Sequence, residues 1–177
     1  MSSASFNWSL IHKYGKNFPA VGAEIGVHYG VNAELLLGTI NHCMLFLIDP
    51  WCESSYLKWT DTIESPGGIE GLEEGFNRVK SVLGNRHNVK ILKMESVEAS
   101  LLFVDKCLDY VYIDAAHSYK ASYADIRAWI PKVKAGGTLG GHDYDWPGVK
   151  EAVDEYIAEY GKKLFIGEGD YGWWFDV

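Results

Sequence analysis

Glu24, Gly26, His28, Tyr29 and Gly30 stand together near the start of the chain, and Asp49 closes the next apolar run 25 positions after Glu24. Small residues at a strand end let backbone approach a ligand, and an acid at the next strand end accepts hydrogen bonds from ribose hydroxyls. The pattern therefore reads as a cradle for an adenine nucleoside. Its spacing is Gly-x-x-x-Gly and not the Gly-x-Gly-x-x-Gly of dinucleotide sites, which favours S-adenosylmethionine over NAD. A second set lies further on: Asp114, His117, His142 and Asp143. Carboxylates and imidazoles together can hold a divalent ion or move a proton.

Elements that could bring these two sets together follow from the hydrophobic pattern. Strands are expected at residues 20–26, 44–49, 89–94, 108–113 and 138–141. Helices are expected at 6–14, 31–40, 70–83, along a stripe of Tyr119, Tyr123, Ile126, Ile130 and Val133, and after Pro147 to a stop at Gly161. Val149, Ala152, Val153, Tyr156, Ile157 and Tyr160 form the buried face of that last helix. Residues 164–167 and 171–177 read as two strands joined by a turn. Residues 51–68 read as one irregular segment, long enough to be a functional loop. Five βα units and a terminal hairpin make an α/β domain with a mostly parallel sheet between two helical layers. No linker or repeat divides residues 1–177, which read as one domain.

In such sheets the ligand lies beyond the carboxyl ends of the strands. Glu24 and the Gly loop, Asp49, Glu95 with Ser96, Asp114 with His117, and His142 with Asp143 all fall at that rim. Four segments carry a resemblance in order along the chain: Glu24 to Gly30, Leu47-Ile48-Asp49-Pro50-Trp51, Tyr112-Ile113-Asp114-Ala115-Ala116-His117-Ser118-Tyr119, and Gly136-Gly137-Thr138-Leu139-Gly140-Gly141-His142-Asp143-Tyr144. In these the chain resembles the class I S-adenosylmethionine-dependent methyltransferases, and the last two are similar to a small-molecule subfamily acting on macrolide sugars, aminocoumarins and cephalosporin precursors.

The resemblance implies a three-layer Rossmann-like fold, with a seven-stranded, mostly parallel sheet ending in an antiparallel hairpin. It implies methyl transfer to a hydroxyl of a sugar-like or aromatic small molecule. Gly26, Val27, His28, Tyr29 and Gly30 would meet the methionine part of the cofactor, with Glu24 behind them. Asp49 would take the ribose and Glu95 and Ser96 the adenine, with Asp114 a further cofactor contact. Asp114, His142 and Asp143 would hold a divalent metal, Mg²⁺ or Mn²⁺. The subfamily has Asp-Asp where this chain has His142-Asp143, and a second Asp, a proposed base, where it has Ala116.

Bland readings stand beside these roles. Glu24 could cap the loop amides, Ser96 could cap a helix, His117 could cap the next helix and His142 could bond a carbonyl. His117 and His142 are otherwise the candidates for proton removal. His12, His42 and His87 have no constellation around them and read as exposed. Trp51, Tyr56 and Trp59 suggest a lid, with Tyr144 and Trp146 on the opposite wall. Rival classes are a cofactor-binding domain without turnover, a metal-dependent hydrolase on the second residue set, and an NAD(P)-dependent oxidoreductase.

The bulk properties narrow the partners. With 16 basic and 24 acidic residues and a net charge of −8, a nucleic-acid partner is not expected. No segment is long and apolar enough to span a membrane, and the first ten residues lack a signal-peptide pattern. Three cysteines without CxxC spacing suit reduced thiols in a cytoplasmic protein. So short a chain, with almost no insertion to shape an acceptor pocket, is compatible with a homo-oligomer that completes it.

Overall fold

The computed structural model describes residues 4–59 and 68–177, the side chains of Tyr56 and Ile69 aside. Seven strands form one sheet in the order β3-β2-β1-β4-β5-β7-β6. β1 (Ala20–Ile25), β2 (His42–Asp49), β3 (Val89–Lys93), β4 (Leu108–Ile113) and β5 (Val133–Gly141) are mutually parallel. β6 (Phe165–Ile166) and β7 (Trp173–Asp176) add the antiparallel hairpin. The chain order reverses between β1 and β4, so the ends of these two strands diverge into the crevice where ligands of such sheets sit.

Each face of the sheet carries its own apolar layer. On one face α1 (Ala4–Tyr14), α2 (Val31–Thr39) and α4 (Gly68–Leu83) cover Leu45, Leu47, Tyr110 and Tyr112. Phe6 and Leu10 dock α1 there with no exposed surface, a burial worth about 1.5–3 kcal/mol for each side chain. On the other face α5 (Ser96–Ser100), α6 (Tyr119–Trp129) and α7 (Pro147–Tyr160) cover Ala23, Ile25, Ile48, Val111 and Ile113. All six residues of β4 are buried, as a central strand covered on both faces requires.

Several expectations need correction. The segment after Asp49 is not uniformly irregular, because Glu53–Trp59 forms a helix, α3; Ser65, Pro66 and Gly67 lie outside the described residues. The buried stripe of α6 is Ala121, Ser122, Asp125, Ile126 and Trp129, one step round from the expected aromatic stripe. Residues 130–132 tighten into a 3₁₀ turn at Pro131, and Val133 already begins β5. In α7 the expected Tyr160 is exposed. His42 is buried against Tyr110, its Nε2 lying 2.6 Å from the phenol oxygen, and burial lowers its pKa to about 4. No helix among the described residues is long and apolar enough to cross a membrane.

Candidate active site

Asp49 organises the first half of the rim. One carboxylate oxygen accepts from the Val27 and His28 amides, both at 2.9 Å, and the other accepts from the Trp51 amide at 2.7 Å. The turn it ties down holds His28 at φ 49° and Trp51 at φ 41°, conformations that side-chain-bearing residues adopt only under constraint. The Trp51 indole adds a bond to the His28 carbonyl at 2.8 Å, and Arg78 of α4 donates to the Tyr29 carbonyl at 2.6 Å. Burial raises the Asp49 pKa, while the three amide bonds and Lys93 pull it back. The capping role considered for Glu24 therefore belongs to Asp49.

Gly26 shows why that turn needs glycine. It sits at φ 83°, and a Cβ would lie 2.0 Å from the Asp114 carbonyl oxygen. The loop after β1 is thus packed directly on the end of β4, and no side chain fits between. Glu24 faces the α1–α2 layer, where Asn32 donates to one oxygen at 3.3 Å. Its other oxygen has no partner among the described residues, and burial raises its pKa well above the usual value. Val27 is buried in that same layer, Tyr29 bonds Glu74 through its hydroxyl, and Gly30 opens α2.

A cleft lies on the opposite face of the rim. Gly26, Asp49, Pro50, Glu95, Ser96, Ala116 and Asp125 line it together with Ile25, Ile48, Val97 and Ala115. The space it encloses, together with the open solvent at its mouth, is about 540 Å³. Trp59 closes one side and donates to Glu95 at 3.2 Å. Trp51 takes no part in such a lid, being buried against Phe76; the Tyr56 side chain lies outside the description. Ser96 is not a helix cap, since Glu95 holds that position. Its hydroxyl instead bonds Asp125 at 2.5 Å and accepts from Trp129 at 2.9 Å.

Asp125 escaped the sequence reading. Burial, against the Ser96 bond and with help from the Glu95 charge, raises its pKa to about 7. The signal was present: a carboxylate one helical turn from Ala121 and Trp129 on a buried stripe.

The second half of the rim gathers titratable groups. Asp114, His117 and Asp143 offer ligand atoms within 4.8 Å of one another. Asp143 sits between two imidazoles, 2.9 Å from His117 Nε2 and 2.9 Å from His142 Nδ1. It does so at φ 57°, the left-handed geometry that Asp tolerates better than most residues. Burial alone would raise its pKa, but the two histidine bonds bring it well below the usual range. Burial and the neighbouring Asp143 charge push Asp114 up to about 6. Two adjacent carboxylates are thus split into one firmly ionised and one ready to take a proton.

His142 is 8% exposed, and its Nε2 has no partner among the described residues. Burial works to lower its pKa, but Asp143 and Asp114 raise it overall. Its bond goes to Asp143 and not to a carbonyl. The helix after His117 is capped by Ser118, whose Oγ accepts from the Ala121 amide. The His117 ring packs tilted against Trp146, with centroids 4.5 Å apart. Gly148 lets α7 close on this turn, because a Cβ there would lie 2.5 Å from the His117 carbonyl oxygen.

These residues border a smaller cavity of about 260 Å³, and Ala115 and Ala116 line both it and the larger cleft. The structure therefore brings Gly26, Asp49, Glu95 and Ser96 to one cavity and Asp114, His117, His142 and Asp143 to the other. Only a two-alanine step separates them.

Residues 23–144 match a family model described as a methyltransferase domain. Among solved structures, a putative caffeoyl-CoA O-methyltransferase from Staphylococcus aureus aligns at TM-score 0.66 and 14% identity, over 97% of this chain and 79% of that one. A putative S-adenosyl-L-methionine-dependent methyltransferase from Methanococcus maripaludis aligns at TM-score 0.61 and 12% identity, over 96% and 81%. A TDP-rhamnose 3'-O-methyltransferase of calicheamicin biosynthesis aligns at TM-score 0.59 and 16% identity, over 97% and 77%. At such identities these structures show a shared fold. A search of curated protein sequences found no match.

Proposed function

We propose that this chain, which belongs to that family and is a class I S-adenosylmethionine-dependent methyltransferase, methylates a hydroxyl of a small sugar-like or aromatic molecule. The observation that carries this reading is the pair of cavities that share Ala115 and Ala116 in their lining. The larger fits an adenosine group: apolar walls from Ile25, Ile48 and Val97 suit a flat ring, and Asp49, Glu95, Ser96 and Asp125 supply polar contacts at its edges. The smaller has the proton-handling groups.

S-adenosylmethionine supplies an activated methyl group on a sulfonium, so the protein's main task is alignment. Asp49 keeps the Gly loop rigid, and its position on the cleft suits the ribose hydroxyls as well. Trp59 excludes water from the adenine side. On the acceptor side His117 takes the hydroxyl proton, with Asp143 orienting its imidazole. His142 braces Asp143 from the other side and stays too enclosed to meet an acceptor. Asp114 lies at the step where methyl donor and acceptor meet.

Asp114, His117 and Asp143 also fit a divalent ion, and their mixed O and N donors suit Mn²⁺ better than Mg²⁺. Such an ion would ease loss of the acceptor's proton. In this set His117 replaces the His142 expected from the sequence.

Calorimetric titration with S-adenosylhomocysteine and with NAD, each with and without Mn²⁺, tests the cofactor. Micromolar binding of the first and none of the second is expected, and the reverse result refutes the reading. A panel of nucleotide sugars and catechols, assayed for methyl transfer from labelled cofactor, then tests the acceptor class. Transfer only to amines or carbon acceptors rejects O-methylation.

A further inference from the structure

We propose that Glu24 is a positioning residue that keeps its proton, shares it with Asn7 and, through Asn32, ties α1 to the loop after β1. Its effect on the methyl donor rests on the cofactor reading above, whereas its protonation does not. The three side chains come from three elements: Asn7 from α1, Glu24 from β1 and Asn32 from the first turn of α2. All three are buried, Glu24 to 1% exposure. Amides and carboxyls do not enter an apolar layer without partners, so their hydrogen bonds can be counted.

The count does not close with an ionised carboxyl. Asn7 Nδ2 donates to Asn32 Oδ1 at 3.5 Å, and Asn32 Nδ2 donates to Glu24 Oε1 at 3.3 Å. Asn7 Oδ1 and Glu24 Oε2 are then sealed acceptors, neither with a donor among the described residues. An ionised Glu24 would hold a full charge against one long bond. Among the described residues no lysine, arginine or histidine offsets it, and Asp49 and Asp114 add negative charge nearby. A carboxyl in those surroundings takes up a proton. The proton on Oε2 removes the charge, turns one orphan acceptor into a donor and gives the other, Asn7 Oδ1, its partner. Burial, as the main cause, raises the Glu24 pKa well above the usual carboxyl value, in agreement with the count.

Position in the chain gives the proton its use. Glu24 stands just before the glycine loop and Asn32 just after it, so their bond closes the loop at its base. Asp49 holds the amides in the loop's middle. Asn7 extends the clasp to α1, where Phe6 packs on Tyr112 of β4 with ring centroids 5.0 Å apart. Neither Glu24 nor any residue of α1 lines either cavity. Their influence on a bound donor therefore passes through the loop, and Glu24 acts without touching the donor.

Infrared difference spectroscopy at neutral pH, wild type minus Glu24→Gln, tests the proton. A carboxylic-acid C=O band is expected from wild type. Other protonated carboxyls, Asp125 among them, are common to both proteins and cancel. A difference spectrum without that band overturns the proposal.

Calorimetry with S-adenosylhomocysteine tests the positioning, with near-ultraviolet circular dichroism as the check on folding. Glu24→Gln keeps the pattern of the neutral acid, an oxygen toward Asn32 and a donor toward Asn7. It is expected to bind within about threefold of wild type, whereas Glu24→Ala binds at least about tenfold more weakly. Asn7→Leu, on a helix remote from both cavities, is expected to weaken binding by about threefold or more. If Glu24→Gln binds as poorly as Glu24→Ala, an ionised carboxylate is required and the proposal fails. Unchanged affinity in a folded Asn7→Leu likewise overturns the link to α1. If wild type does not bind S-adenosylhomocysteine, the cofactor reading fails, and the infrared band still decides whether Glu24 holds its proton.

Discussion

The two halves of the rim are built from different materials. In the half around the larger cleft Asp49 is held by three backbone amides, and apolar residues stand beside Glu95, Ser96 and Asp125. In the other half charged side chains face one another: Asp143 lies 2.9 Å from a nitrogen of each of two histidines, and its charge helps raise the pKa of Asp114. Backbone bonds give a fixed shape that one ligand can rely on. Coupled side chains give adjustable protonation, which proton removal and metal binding both need. The difference teaches that rigidity is concentrated at the half proposed for the methyl donor and electrostatic poise at the half proposed for the acceptor.

Removing the anchor of the rigid half should have the largest effect. Asp49→Ala leaves three amides without their acceptor, and a loss of roughly 3–5 kcal/mol in unfolding free energy is expected from denaturant titration. S-adenosylhomocysteine affinity should fall with it by more than about a hundredfold, or 2.7 kcal/mol. A variant with wild-type stability would show that the loop is held by packing alone.

Asp125 tests whether the rigid half also stores electrostatic cost. Its folded pKa of about 7 lies above its ordinary 3.8. Between those values the folded chain keeps a proton that the unfolded chain releases, so this group destabilises the fold as pH rises from about 4 to 7. The slope approaches 1.4 kcal/mol per pH unit at most. Asp125→Asn should gain stability relative to wild type over that window and show a constant difference above it. A constant difference throughout would place the carboxyl in an ordinary environment.

For the acceptor half, Asp143→Asn should weaken Mn²⁺ binding by about tenfold or more, roughly 1.4 kcal/mol, as read by calorimetry. Its affinity for S-adenosylhomocysteine should stay within threefold of wild type. Loss of both affinities together would mean that the two halves act as one unit. The smallest effect is expected at the cleft edge. Trp59→Phe removes the bond to Glu95 and leaves a smaller ring beneath Lys58 and Lys120, and it should weaken S-adenosylhomocysteine binding by about 0.5–1.5 kcal/mol, with thermal unfolding nearly unchanged.

Legibility in the sequence followed the range of the interactions concerned. Six of the seven strands lie close to their expected positions because alternation, apolar runs and glycine stops are local signals, whereas β5 begins five residues earlier, at Val133. The segment after Asp49 was harder, since its polar composition hides the short helix Glu53–Trp59. His42 was read as exposed because nothing nearby in sequence marks its partner, Tyr110, 68 positions away. The α6 stripe was misplaced by one step because Tyr119 and Tyr123 compete with Ala121 and Asp125 for the apolar face. Bulk hydrophobicity favoured the tyrosines, whereas the sheet accepted the smaller residues.

The chain alone thus determined the order of elements, the family and which polar residues reach the strand ends. Residue type and strand periodicity act locally, and they suffice to put Asp49, Glu95, Asp114 and His142 at one rim. Tertiary structure decided how those residues share the work. It gave the loop amides to Asp49 and turned Glu24 into the opposite layer. It grouped His117 with Asp114 and Asp143, and set Asp125 beside Ser96 on the larger cleft. Each of these depends on which side chains meet across the sheet, and a hydrogen bond's partner is chosen by distance in space and not by spacing along the chain.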